Sequence, residues 1–258
     1  MIYDLQKASI LKRISAWLLD AILLVIIVVG IAGALSGILG FDAKAEKLEA
    51  YYVKYEQEFG IDAQMTEEKF NAMTKEEQEA YTAACDAANK ALAADKEAMQ
   101  TFNLVFNLTL VVITLSILIA ILATEFVVPL LLKNGQTVGK KVFGIAVMRT
   151  SGVKVNGVCM FIRTVLGKYA VETMIPVYML LMLLFGMIGG TAVVVVLVLG
   201  LAQLLLVILT HTNALIHDKL ADTVTVDMAS QMIFNTEEDL LEYKKRVAAE
   251  QAAKDPYA

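Results

Sequence analysis

Between Thr173 and Thr210 the chain runs for 38 residues without a charged side chain. As a single α-helix that run would extend about 57 Å. A bilayer core of about 30 Å takes roughly 20 apolar helical residues. The cluster Gly186, Gly189 and Gly190 offers a turn inside the run, so it reads as two helices near 171–188 and 191–210, with one tilted span plus a partly buried segment as the alternative. Two further uncharged runs stand earlier in the chain, 20 residues from Ala21 to Gly40 and 21 from Leu104 to Thr124. Apolar residues make up 58% of the chain at a mean hydropathy of +0.63, against about 45–50% in soluble domains. The excess lies in blocks with the charges between them, which is what a bilayer demands. The expected fold is an all-α membrane protein of about four transmembrane helices, arranged as two hairpins.

The net charge of −5 averages two opposite regions. Phe41 to Gln100 carries 14 acidic and 7 basic residues, whereas Lys133 to Lys168 carries 7 basic residues and no acidic one. Short basic loops stay cytoplasmic. Lys7, Lys12 and Arg13 therefore place the N-terminus inside, and the basic 133–168 segment returns there after the second span. The localisation expected is a multi-pass cell-membrane protein with both termini cytoplasmic. Ala32-Gly33-Ala34 resembles a signal-peptide cleavage site. The apolar run continues past it to Gly40, so this segment is expected to persist as a span. Cys85 and Cys159 fall in the two opposite regions, which leaves no disulfide framework.

These signals divide the chain into six parts. They are the N-terminus with the first span (1–41), an acidic extracytoplasmic insert (42–101), the second span (102–132), the basic cytoplasmic segment (133–168), the third and fourth spans (169–210) and a cytoplasmic tail (211–258). The insert is rich in helix formers, and Thr66-Glu-Glu-Lys69 and Thr74-Lys-Glu-Glu77 read as capped helix starts. It is expected to be helical, as a hairpin or as extensions of the first two spans. Ile145–Arg149 and Val153–Val155 flank Thr150-Ser151-Gly152 and predict a small cytoplasmic β-hairpin, with Thr223–Val226 available as a third strand. Thr236 to Lys254 reads as a polar helix.

Chemistry at membrane depth rests with few residues. Asp20 follows Arg13 by seven residues, so both project from nearly one helix face about 10 Å apart. They cannot pair directly, and each needs a partner on another element. An ionisable group at this depth faces a bundle interior or a water-filled cavity, or sits at the headgroups as an interfacial charge. Glu125 and Glu172 stand at span edges, where snorkelling or pairing with a basic residue competes with proton carriage. Asn103, Asn107 and Gln203 suit hydrogen bonds between helices, and Gly33 with Gly37 suits a close packing face. Gly135-Gln-Thr-Val-Gly139-Lys140-Lys141 fails as a phosphate loop, because three residues separate its glycines and Lys141 replaces the Ser or Thr. His211 and His217 are the only histidines and there is no cysteine cluster, so no catalytic metal site is expected. No cofactor, no nucleic-acid partner and no enzymatic activity are expected.

Taken together these motifs resemble the RDD family of membrane proteins, named for one Arg and two Asp. Arg13-Ile-Ser-Ala-Trp-Leu-Leu-Asp20 resembles its first-helix signature. Gly135 to Ile145, with Ser151-Gly152 and Arg163, resembles its cytoplasmic segment, and His217 to Val224 its closing motif, with the second Asp at Asp218. The insert is longer than the family carries there, and Asp222 stands where Gly is common. The resemblance implies a small transporter in the lipid bilayer, of ligands or by Na⁺/H⁺ exchange, with Asp20 as the cation or proton site by that analogy. Four spans give so thin a wall that a homo-oligomer is expected. The alternative is a non-transporting scaffold in which Arg13, Asp20, Arg163, His217 and Asp218 form a structural ion network, with Glu125, Glu172 and Asp222 as secondary candidates. The network is expected to bring Arg13 near Asp218 or Asp222.

Overall fold

In a computed structural model, residues 4–62, 64–132 and 134–254 are described. Lys133, counted in the basic segment, lies outside them. Among the described residues, four helices are long and apolar enough to span a bilayer: α1 (Ile10–Leu39), a later helix Lys96–Leu131, then Gly157–Leu184 and Thr191–Leu209. The chain divides into two compact units, one formed by residues up to Val29 with those from Ile117 onward, the other by Gly30–Ser116.

The Gly30–Ser116 unit holds the insert. α1 ends at Gly40, whose φ of 60° suits glycine, and Lys44 Nζ caps the helix by donating to the carbonyls of Leu39 (2.8 Å) and Gly40 (3.1 Å). Helices α2 (Phe41–Phe59), α3 (Glu67–Ala72) and α4 (Lys75–Ala94) follow. Thr66 and Thr74 are the N-caps of α3 and α4, and Thr74 forms a reciprocal capping box with Glu77. α2 packs on α4, and Tyr55 Oη donates to Asp95 at 3.0 Å. α5 (Lys96–Leu131) then leads out of this unit as the second span. A Cβ added at Gly33 or Gly37 would meet nothing within 4 Å, so the packing face expected there has no partner among the described residues.

The other unit holds the remaining elements: α6 (Val138–Val142), β1 (Ile145–Arg149), α7 (Gly157–Leu184), α8 (Thr191–Leu209), α9 (Ile216–Leu220), β2 (Thr223–Asp227) and α10 (Glu237–Lys254). α7 and α8 form the expected hairpin, turning through Gly186 at φ 66°. Lipid-type surface is plain on α1, where Ile14, Trp17, Ile22, Val25 and Ile26 are exposed. In water such a face would be an aggregation liability, whereas in a bilayer it matches the solvent.

The sheet departs from the expected hairpin in its pairing. β1 pairs antiparallel with β2, Ile145 opposite Asp227 and Arg149 opposite Thr223. The turn at Gly152 forms, but Met148–Lys154 is a single bridge. Asn156 already caps α7 through the Cys159 amide (2.8 Å), so the returning arm is too short to become a strand. β2 also receives the N-terminal segment at Lys7, and Ala146, Met148, Val224 and Val226 form a small closed core beneath it.

The third span likewise begins at Gly157 rather than near 171. Its charges do not end the helix because they point into pairs within the unit. It is π-helical from Ile162 to Met174, as α5 is from Leu122 to Val127. Each π segment stops just ahead of a proline, Pro129 in α5 and Pro176 in α7. Proline lacks the N–H and its ring crowds the carbonyl four residues back, so the helix widens there. Those carbonyls belong to Glu125 and Glu172.

Candidate functional site

The π-helix sets the geometry of the site. Nine residues separate Arg163 from Glu172, two and a half turns of an α-helix, which would put them on opposite faces. With i to i+5 bonding a turn takes roughly 4.4 residues. Arg163, Lys168 and Glu172 then fall on one face, and that face meets α9 and the π segment of α5.

Asp218 is the most enclosed carboxylate, 1% exposed. Arg163 donates to its Oδ1 from Nε (3.2 Å) and Nη2 (2.9 Å), and Arg13 reaches Oδ2 from Nη2 at 3.3 Å. Thr223 Oγ1 (3.2 Å) and the Leu215 amide (3.4 Å) complete its shell. Burial alone would raise its pKa, but the guanidinium groups of Arg163 and Arg13 outweigh that and hold it well below the usual carboxylate range. Arg13 also donates to the Asn213 carbonyl at 2.6 Å. The sequence motif's first Arg and its closing Asp therefore meet, together with Arg163.

His217 is locked beside them. Arg163 Nη2, which can only donate, lies 3.0 Å from its Nε2, so Nε2 accepts and the ring proton sits on Nδ1. Nδ1 points at Glu172, 2.7 Å from Oε2, and the His217 amide donates to Oε1 at 2.9 Å. Gly167 makes this approach feasible, since a Cβ there would lie 2.5 Å from that of His217. Burial, with Arg163, pushes the imidazole below its ordinary range although Asp218 and Glu172 oppose it. An unfolded chain takes up this proton near pH 6.5 and the folded one does not. Stability is therefore full above about pH 6.5 and falls on acidification by up to about 1.4 kcal/mol per pH unit. Thermal midpoints in nanodiscs between pH 7.5 and 5.5 check this. His217→Gln should flatten the slope, and an unchanged slope would refute the assignment.

Glu125 is held by Lys168 Nζ at 2.5 Å, with Lys140 Nζ at 3.8 Å. Thr164 Oγ1 donates to the Glu125 carbonyl (2.9 Å), the one to which Pro129 has no N–H to give. Asp20 differs from Glu125 and Asp218, which meet Lys or Arg, and from Glu172, which is tied twice to His217. It accepts from Thr137 Oγ1 and from the Gly139 amide (2.7 Å), and no Lys or Arg among the described residues is in ion-pair contact with it. Gly139 is required here, because a Cβ would stand 2.2 Å from the Ala16 carbonyl of α1. Asp20, Glu125, Lys140, Arg163, Lys168 and Glu172 share the wall of one cavity of about 640 Å³, whose other side is apolar and includes Trp17 and Leu24.

The structure thus brings together Arg13, Arg163, His217 and Asp218, and adds Glu172 to them. It seats Asp20 in the same cavity on different partners. Asp222 lies apart, accepting from Thr150 Oγ1 at 2.6 Å. Its φ of 50° explains why glycine would suit that position. Sequence reasoning missed Thr137, Gly139, Lys140, Gly167 and Lys168 as site residues. A signal for the site was present in the repeated Glu-x-x-x-Pro of Glu125–Pro129 and Glu172–Pro176. No group of three or more His, Cys, Asp or Glu side chains arranged to hold a metal occurs among the described residues.

Fold and site define a multi-pass α-helical membrane protein with a charge-balanced cluster walling a cavity. The family model of the RDD family matches residues 7–222, and the chain belongs to that family. No curated protein and no solved structure matches it.

Proposed function

We propose that this protein is a small transporter that exchanges a monovalent cation such as Na⁺ for H⁺, with Asp20 as the carboxylate that receives the cation. The observation that carries this reading is the unequal treatment of the carboxylates. Asp218 and Glu125 are each paired with an Arg or Lys and Glu172 is tied to both the ring and the backbone amide of His217, whereas Asp20 is held by one hydroxyl and one backbone amide in a cavity wall. Arg and Lys already engage Asp218 and Glu125, and His217 engages Glu172 at both carboxylate oxygens, so Asp20 is the carboxylate most open to a mobile ion. The cavity is roomy enough for a cation to keep part of its water shell. The basic 133–168 segment supports a cell-membrane location with both termini cytoplasmic. A homo-oligomer is the working form, since four spans make a thin wall.

The test is cation-driven proton movement in proteoliposomes against Na⁺, K⁺ and Li⁺. Asp20→Asn should insert and purify normally yet show only the protein-free background. Normal exchange by that variant would sink the assignment. A second reading has its own observation: Asp218 between Arg13 and Arg163 is an almost sealed ion network, 1% exposed, and it suits a scaffold. Absence of flux in the wild-type protein, with Asp20→Asn lowering the folded yield, would favour that reading.

A further inference from the structure

The cavity cluster contains four basic side chains, Arg13, Lys140, Arg163 and Lys168, against four carboxylates, Asp20, Glu125, Glu172 and Asp218. With His217 neutral the set balances. A cation arriving at Asp20 leaves one positive charge in excess inside a poorly solvated wall, and the least costly relief is the loss of one proton. Which group yields it follows by elimination. Arg13 and Arg163 do not deprotonate and both hold Asp218. Lys168 is the near partner of Glu125 at 2.5 Å, so its neutralisation would strand that carboxylate. Lys140 is the redundant cation. It lies 3.8 Å from a Glu125 that Lys168 already satisfies, and its Nζ donates to Thr137 Oγ1 at 3.2 Å.

We infer, on the transport reading above, that Lys140 is the proton-yielding group of the exchange and is joined to Asp20 through the Thr137 hydroxyl. When a cation pairs with Asp20, one N–H bond of the Lys140 ammonium breaks, its electron pair stays on Nζ and the proton passes to cavity water. The neutral amine still donates an N–H to Thr137, so Thr137 keeps its own proton on Asp20. The charge of the cluster is the same before and after, and no redox partner is needed.

The surroundings agree. Lys140 is faced by Glu125 from α5, by Lys168 and Arg163 from α7 and by Asp20 from α1. Burial, aided by Lys168 and Arg163 and opposed by Glu125 and Asp20, brings its ammonium down to about 8. A proton can therefore leave within the physiological range, which an exposed lysine does not allow.

The experiment is Na⁺-driven proton efflux from proteoliposomes of the full-length protein between about pH 6.5 and 9.5, a range that brackets the lowered ammonium. Wild type should show an inflection near pH 8. Lys140→Arg keeps the charge and cannot release a proton, so exchange should be lost. Lys140→Met removes the charge permanently, so Na⁺ uptake should persist without counter-movement of protons and become driven by the membrane potential. Proton-coupled exchange at wild-type rate in either variant, or a wild-type profile without the inflection, overturns the Lys140 assignment and leaves the Asp20 reading standing. Absence of wild-type exchange overturns both.

Discussion

Asp218→Asn is expected to remove about 3–5 kcal/mol of stability, the cost of leaving buried charges without their partner. Among the described residues this carboxylate is the only acidic group in contact with both Arg13 and Arg163. Both are themselves largely buried, so neither guanidinium can turn to water. An amide at the same place keeps the shape and removes the charge. Denaturation of the reconstituted protein should show the loss directly. The combined variant Arg13→Met, Asp218→Leu, Arg163→Met supplies the contrast. Replacing an entire buried ion network by apolar groups of similar volume is often neutral or stabilising. Recovery of stability in the combined variant would place the network's value in its completeness. If Asp218→Asn alone were neutral, the ion network would not be a structural lock.

The second large effect is expected at Gly139. A Cβ would lie 2.2 Å from the Ala16 carbonyl oxygen and 2.9 Å from the Asp20 carboxyl carbon. Both are inside contact distance, and the nearer neighbour is backbone with nowhere to go, since Ala16 is 1% exposed. Gly139→Ala must separate α6 from α1. Overpacking of this kind costs about 1–3 kcal/mol and sometimes more. The same movement breaks the hydrogen bond from the Gly139 amide to Asp20, so transport should fall along with the melting temperature. Gly157→Ala is the matched control, because nothing stands within 4 Å of a Cβ at that position. Equal behaviour of the two variants would refute the close-approach argument.

Much of the architecture can be read from the residues because bilayer burial is so restrictive. Four apolar helices, the Gly186 turn, the capped helices of the insert and a small sheet all follow from local composition and turn chemistry. The pairing of β1 with β2 is different in kind. It joins residues far apart in the chain, and strand propensity in Thr223–Asp227 does not name its partner. Within the site, Arg13 and Asp218 are legible as unpaired ions at membrane depth that require company. Lys140 and Lys168 read as signals of orientation, since a basic residue in a loop has a ready explanation in topology. Their part in the cavity emerges only once Pro129 and Pro176 have widened two helices. α-Helical periodicity scatters Arg163, Lys168 and Glu172 around the third span, and so it conceals the face they share.

That widened third span has a consequence for how the protein is made. Its best window has a mean hydropathy of 1.3, against 2.7–3.1 for the other three. It carries charges whose counterparts Asp218 and His217 are synthesised only after the fourth span. While the ribosome is still translating residues before Ile216, Arg163 lacks the carboxylate that neutralises it and Glu172 the imidazole and amide that hydrogen-bond it in the folded chain. The third span is therefore expected to be a poor candidate for independent release into lipid, with its stable insertion waiting on the closing motif. The pairs that organise the cavity in the finished protein thus also set the order in which the nascent chain can be assembled.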